Sequence, residues 1–89
     1  MEKGKKTIIA SVDRAISILE LIDNAPEPLT LSQISRALGL NTSTAHHLVD
    51  TLLGRGFLEK DEITKEYSLG LRLYEIGLSD NYFKMLSRK

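Results

Sequence analysis

Leu29-Thr30-Leu31-Ser32-Gln33-Ile34-Ser35-Arg36-Ala37-Leu38-Gly39-Leu40-Asn41-Thr42-Ser43-Thr44-Ala45-His46-His47-Leu48-Val49-Asp50-Thr51-Leu52-Leu53 is the stretch on which the fold turns. Thr30 and Gln33 have the spacing of a capping box, in which hydroxyl and amide each satisfy a backbone N–H of the other residue. Leu29 and Ile34 stand where a hydrophobic staple would close over that cap. A short helix is therefore expected over 31–38, burying Ile34, Ala37 and Leu38 and stopping at Gly39, which can take the left-handed conformation. Asn41 is the expected N-cap of the next helix. Its apolar face is Ala45, Leu48, Val49, Leu52 and Leu53, an i, i+3, i+4, i+7, i+8 series. The opposite face carries Thr42, Ser43, His46, His47, Asp50 and Thr51. The small residues Ala37, Gly39 and Ala45 suit a close crossing of the two helices. The layout is that of a helix-turn-helix, whose second helix enters the DNA major groove.

Working outward, a helix is expected from Ser11, taken as its N-cap, with Asp13 in the first turn at the positive end of the dipole. Its apolar residues are Val12, Ala15, Ile16, Ile18, Leu19, Leu21, Ile22 and Ala25. They span roughly 200° of arc, about twice what one core demands, so a second face is expected to meet another helix or another subunit. Pro26 and Pro28 end it. On the other side, Gly54 and Gly56 are expected to stop the second helix of the pair. Phe57–Lys60 and Glu66–Leu69 then alternate between apolar and polar residues, as strands of a hairpin do. Asp61–Lys65 is the glycine-free turn between them, and Gly70 ends the hairpin. A further helix carries Leu71, Leu73, Tyr74, Ile76 and Leu78, followed by Tyr82, Phe83, Met85 and Leu86. The expected fold is mainly α with a small β-hairpin: a winged helix-turn-helix with an added C-terminal linker helix. Residues 1–10 read as a flexible basic arm, 11–70 as the winged domain and 71–89 as a linker and dimerisation helix.

Eighty-nine residues allow one small domain with a thin core. There is no cysteine, hence no disulfide and no thiolate metal site. No apolar run approaches the ~20 residues that span a membrane, and Thr7–Ala10 is too short an apolar stretch for a signal peptide. A soluble, cytoplasmic protein without a membrane partner is expected. Twelve basic residues balance twelve acidic ones, an unusual balance for a protein that contacts phosphate. The distribution tells more than the sum. Within 28–58 the only formal charges are Arg36, Asp50 and Arg55. Acidic residues gather at Glu59, Asp61, Glu62 and Glu66, and basic ones at Lys3, Lys5 and Lys6.

Four groups of landmarks, in this order and spacing, resemble the N-terminal domain of the IclR family of bacterial transcriptional regulators. They are Ser11-Val12-Asp13-Arg14-Ala15, Leu29 to Ile34, Gly39-Leu40 with Ser43-Thr44-Ala45-His46, and Tyr67-Ser68-Leu69-Gly70. The resemblance spans about residues 9–80. It implies a winged helix-turn-helix that dimerises and binds operator DNA, with a larger effector-binding domain beyond the linker helix. Such a domain has no counterpart in these 89 residues, so no small-molecule effector site is expected in this chain. The family usually has arginine where this chain has His47. A neutral imidazole there offers one donor and one acceptor in place of a permanent bidentate cation.

The candidate DNA-binding residues are Asn41, Thr42, Ser43, Thr44, His46 and His47 around the start of the recognition helix, with Arg36, Arg55, Lys60 and Lys65 as phosphate contacts. Hydroxyls can bond bases or phosphates, and threonine methyls can pack on thymine methyls. Backbone amides at the helix start suit a phosphate, and Thr44 is expected to pack at the turn. Each residue also has a plain reading as part of a solvated helix face or an ordinary cap. His46 and His47 do not read as metal ligands, because neighbouring helical side chains diverge by about 100°, and no cofactor is expected. No catalytic constellation is present, so no enzymatic activity is expected. The expected function is sequence-specific binding of double-stranded DNA by a homodimer formed through the first and last helices, on a palindromic operator. The alternatives are a winged-helix protein-interaction module, which neutral net charge favours, or the N-terminal dimerisation domain of an enzyme such as a methyltransferase.

Overall fold

Two prolines decide where the first helix stops, and two left-handed glycines decide where the next two stop. A computed structural model of the chain describes residues 7–78. The element order is α1 (Ala10–Asn24), β1 (Leu29–Thr30), α2 (Leu31–Leu38), α3 (Thr42–Gly54), β2 (Leu58–Lys60), β3 (Glu66–Leu69) and α4 (Leu71–Gly77). This is the expected mainly helical winged helix-turn-helix with an extra helix at its end. The arm at 1–6 and the stretch carrying Tyr82, Phe83, Met85 and Leu86 lie outside the described residues.

Ala25, ahead of Pro26, is extended at φ −79° and ψ 142°, because the proline ring disfavours helical backbone in the residue before it. At the other end of α1, Ser11 is not the cap. The helix begins one residue earlier at Ala10, Ile9 is its N-cap without a side-chain bond, and Ser11 is already helical. The Ile9 carbonyl accepts from Asp13 N–H at 3.0 Å, so the backbone closes the first turn alone.

The capping box at α2 forms as expected: Gln33 N–H donates to Thr30 Oγ1 at 3.2 Å, and Thr30 N–H to Gln33 Oε1 at 2.8 Å. Gly39 sits at φ 65°. Leu40 N–H reaches back to the Ser35 carbonyl and Gly39 N–H to that of Arg36, the paired bonds of a Schellman ending. Helix α3 ends the same way. Phe57 N–H bonds to Leu52 O at 2.8 Å and Gly56 N–H to Leu53 O at 3.0 Å, with Gly56 at φ 79°. Gly54 is not a stop signal, as it is the last helical residue. A methyl there would meet nothing within 4 Å, so Gly54→Ala is expected to stabilise the domain by about 0.5–1 kcal/mol through helix propensity. Gly56→Ala should do the reverse, since its backbone is left-handed and its Cβ would lie 3.1 Å from Arg72 Cβ. Urea midpoints moving in opposite directions at constant m would bear out both.

The sheet has three strands in the order β1-β3-β2, all antiparallel, where the alternation predicted two. β1 is the addition: Leu29 pairs with Tyr67 and Thr30 with Glu66. Thr30 therefore caps α2 and closes the sheet at once, which ties the helix-turn-helix to the wing through one residue. Two residues after Pro28 show no alternation to read, and only the partner strand makes them a strand.

The core is Ile18, Ile22, Ile34, Ala45, Val49, Leu52, Leu58 and Tyr67. Each fully buried aliphatic side chain is worth about 1.5–3 kcal/mol, and these come from α1, α2, α3 and both long strands. Ala37 is exposed, contrary to the expected close crossing. Ser35 is the small buried residue of α2, its hydroxyl donating to the Ser32 carbonyl at 3.3 Å. Ser35 and Ala37 stand two positions apart and flank Ile34 on opposite sides of α2, so the tilt of the helix against the core decides which of them is buried.

Candidate nucleic-acid interface

Helix α3 presents two chemically separate faces. Ala45 and Val49 are fully buried and Leu52 nearly so, while Thr42, Ser43, His46, His47, Asp50 and Thr51 are all exposed. The burial of one face fixes the direction of the other. Asn41 holds the start of the helix: its Oδ1 accepts from Thr44 N–H at 2.9 Å and from the Ser43 hydroxyl at 3.3 Å. Ser43 is thus oriented toward the cap, and Thr44 is half-buried at the turn. The amide groups of Thr42 and Ser43 precede the first intrahelical partner, leaving donors at the positive end of the helix dipole.

The two imidazoles lie side by side with ring centroids 6.2 Å apart and planes tilted by 57°. His46 Nε2 stands 3.9 Å from Asp50 Oδ2. Thr51 donates its hydroxyl to the His47 carbonyl at 3.0 Å, which spends that group within the helix. The first two turns of α3 thus expose two hydroxyl side chains and two imidazoles, the Asp50 carboxylate follows in the third turn, and there is no lysine or arginine anywhere from Thr42 to Gly54.

The remaining cations are scattered. Arg36 is exposed in the last turn of α2, beside the turn. Arg55 lies just past the far end of the 13-residue α3, about 20 Å along the axis from Thr42, and so is not grouped with the N-terminal cluster. Lys60 is half-buried, with its ammonium 5.7 Å from the centroid of the Tyr67 ring. Cross-strand pairing of Lys60 with Tyr67 puts them on one face of the sheet, and the cation–π contact draws the charge toward the protein. Lys65 is exposed at the wing and pairs with Glu62 at 3.5 Å.

The wing tip is rigid without glycine. Asp61 Oδ1 accepts from Ile63 N–H at 2.8 Å and from Thr64 N–H at 3.1 Å. Thr64 Oγ1 accepts from Glu66 N–H at 3.3 Å. Lys65 takes φ 64°, unusual for a residue with a side chain. The two backbone bonds hold the Asp61 carboxyl below the usual carboxylate range. That support for the tip is present above the unfolded carboxylate pKa and is lost as pH falls through the lowered value. Sequence reading marked this turn as polar and did not single out Asp61 or Ile63. An aspartate opening a turn is the signal for the first. Ile63, 91% exposed at the apex, carries no pattern that could have marked it.

Residues 11–62 match the family model described as the IclR helix-turn-helix domain. The chain belongs to the IclR family. It is 39% identical over 70 residues to the HTH-type transcriptional regulator XynR of Escherichia coli, covering 79% of this chain and 28% of that protein. It is 39% identical over 69 residues to the glycerol operon regulatory protein of Streptomyces coelicolor, covering 78% of this chain and 27% of that one. Among solved structures, an IclR transcriptional regulator from Alicyclobacillus acidocaldarius superposes with a TM-score of 0.79 at 30% identity, covering 91% of this chain and 35% of the other. The chain therefore spans little more than a quarter of the length of these curated IclR relatives. It carries an IclR helix-turn-helix, the module of this family implicated in DNA-binding transcriptional regulation. Among the described residues, no helix is long and apolar enough to cross a membrane.

Proposed function

We propose that this IclR domain binds double-stranded DNA sequence-specifically as part of a transcriptional regulator, with residues 42–53 in the major groove. The observation that carries the reading is the exposed face of α3, where Thr42, Ser43, His46 and His47 follow a side-chain-capped helix start. A recognition helix meets base edges with its N-terminal turns. The names of the relatives, a transcriptional regulator and an operon regulatory protein, support the same class. Asn41, Thr44 and Arg36 border the turn and fit phosphate contacts, and Lys65 at the wing fits a flanking one. Arg55 and Lys60 fit less well, because one lies at the far end of the helix and the other leans on Tyr67.

The domain acts as a homodimer through α1 and α4 on a palindromic operator. Support comes from apolar side chains left exposed: Ile8, Ile9, Val12 and Ile16 at and along α1, and Leu71, Tyr74, Ile76 and Leu78 along and after α4. A monomer leaves no such stripe without a partner. Two-fold symmetry of the protein then dictates two-fold symmetry of the site.

Selection from a pool of random duplexes at several salt concentrations tests the reading. Enrichment of a palindromic motif, with affinity falling as salt rises, is the expected result. A folded protein that retains no duplex at low salt would instead point to a protein-interaction module. In the same assay at pH 8, His47→Arg should tighten binding by several-fold and steepen the salt slope by about 0.9 per added phosphate contact. An unchanged affinity and slope at that pH would place His47 off the DNA.

A further inference from the structure

Helix α3 carries no permanent positive charge, yet its exposed first turns hold the chain's two histidines next to one another. We propose that His46 and His47 bind DNA as imidazolium groups, taking up protons as the helix docks, so that the proton is a co-ligand of the DNA complex. The inference rests on the DNA-binding reading above and adds a ligand to it.

The physical ground is the partner's charge. Duplex DNA carries about one phosphate charge per 1.7 Å of axis, and a nearby anion favours the charged form of an imidazole. Both side chains are exposed, so a phosphate can approach either ring. The charged groups on elements packed against α3 are Asp13, Arg14, Glu20 and Asp23 on α1, Arg36 on α2, and Glu59 and Lys60 on β2. Among the described residues, Asp50 is the one carboxylate within 4.0 Å of an imidazole nitrogen, at 3.9 Å from His46. Ring centroids 6.2 Å apart, with exposed faces, leave room for two charges once phosphates surround them.

The sign follows by linkage. The complex binds more protons than the free protein, so affinity rises as pH falls. Among side chains of this composition, histidine alone ordinarily titrates between pH 5 and 8, and the chain has two histidines and no cysteine. Binding of the 89-residue chain to a random-sequence duplex and to the selected motif, measured from pH 8 to pH 6 at fixed ionic strength, should tighten by about tenfold or more. The salt slope should steepen as pH falls. Calorimetry in two buffers of different ionisation enthalpy should register proton uptake on binding, at most two per protomer. The His46→Gln/His47→Gln double variant, changed only at exposed positions, should bind weakly and lose the pH dependence. His47→Arg should keep strong binding at pH 8 with a shallower pH dependence. DNA binding that does not change with pH, or a double variant that keeps the pH dependence, overturns the proposal and leaves the DNA reading intact. No binding at any pH overturns both.

Discussion

Gly70→Ala is expected to cost about 3 kcal/mol of stability, toward the upper end of what one added methyl does in a packed interior. The backbone of Gly70 lies at φ −92° and ψ 162°, open to any residue, so conformational freedom is not the reason for glycine. Space is. A Cβ there would collide with the Gly56 carbonyl oxygen and lie 2.8 Å from both Leu58 N and Phe57 C. These are backbone atoms with no rotamer to yield. They are also held from both sides: Gly70 N–H donates to Phe57 O at 2.9 Å, Arg72 N–H to Gly56 O at 3.1 Å, and Leu58 pairs with Leu69 in the sheet. Relieving the collision means parting the end of α3 from the start of α4 and loosening the wing between them. For a domain of this size, with about 5 kcal/mol of stability, the melting temperature should fall by about 15 °C or more. Thermal denaturation followed by circular dichroism checks this, and a shift under about 4 °C would show that the junction accommodates a methyl. Duplex affinity should fall with the folded fraction, since the wing and the end of α3 share this junction.

Val12→Lys/Ile16→Lys is expected to convert the proposed dimer to a monomer and to lower affinity for a palindromic duplex by about 100-fold or more, the scale set by losing joint engagement of two half-sites. Val12 is 54% exposed and Ile16 49% exposed, and lysine is a better helix former than either residue. The fold and its melting transition should therefore persist. The choice of lysine makes the result one-sided: added positive charge by itself favours DNA, so a loss of affinity reports on the lost partner and not on repulsion. Light scattering should show half the assembly mass. A variant that stays dimeric and binds with unchanged affinity would move the dimer contact off α1.

The exposed apolar stripe that motivates this test was visible as the broad arc of α1, because helical periodicity places Ile18 and Ile22 on one side and Val12 and Ile16 on another. The chemistry of the candidate interface was equally legible. Once Ala45, Val49 and Leu52 are assigned to the core, Ser43, His46 and His47 can only face outward, while Thr42 shares the spacing of the buried series and is exposed because it opens the helix. What periodicity could not give was the state of each cation. Lys60 and Lys65 look alike in the chain, yet cross-strand register sets one over the Tyr67 ring and leaves the other exposed beside Glu62.

By itself the sequence determined the local grammar of this IclR domain. The capping box at Thr30, the Asn41 cap, the turn at Gly39 and the buried series of α3 each depend on residues within one or two helical turns, and each formed as read. Tertiary structure alone decided the rest. It made Leu29–Thr30 a third strand, because pairing with Tyr67 and Glu66 is a contact between distant parts of the chain. It chose Ser35 over Ala37 as the small buried residue of α2 and started α1 at Ala10 with no side-chain cap. It also gave Gly70 its purpose, since a close approach of two backbones leaves no trace in either segment taken alone. Local hydrogen bonds and helical spacing are encoded in neighbouring residues, whereas register, rotation and close packing appear only when the segments meet.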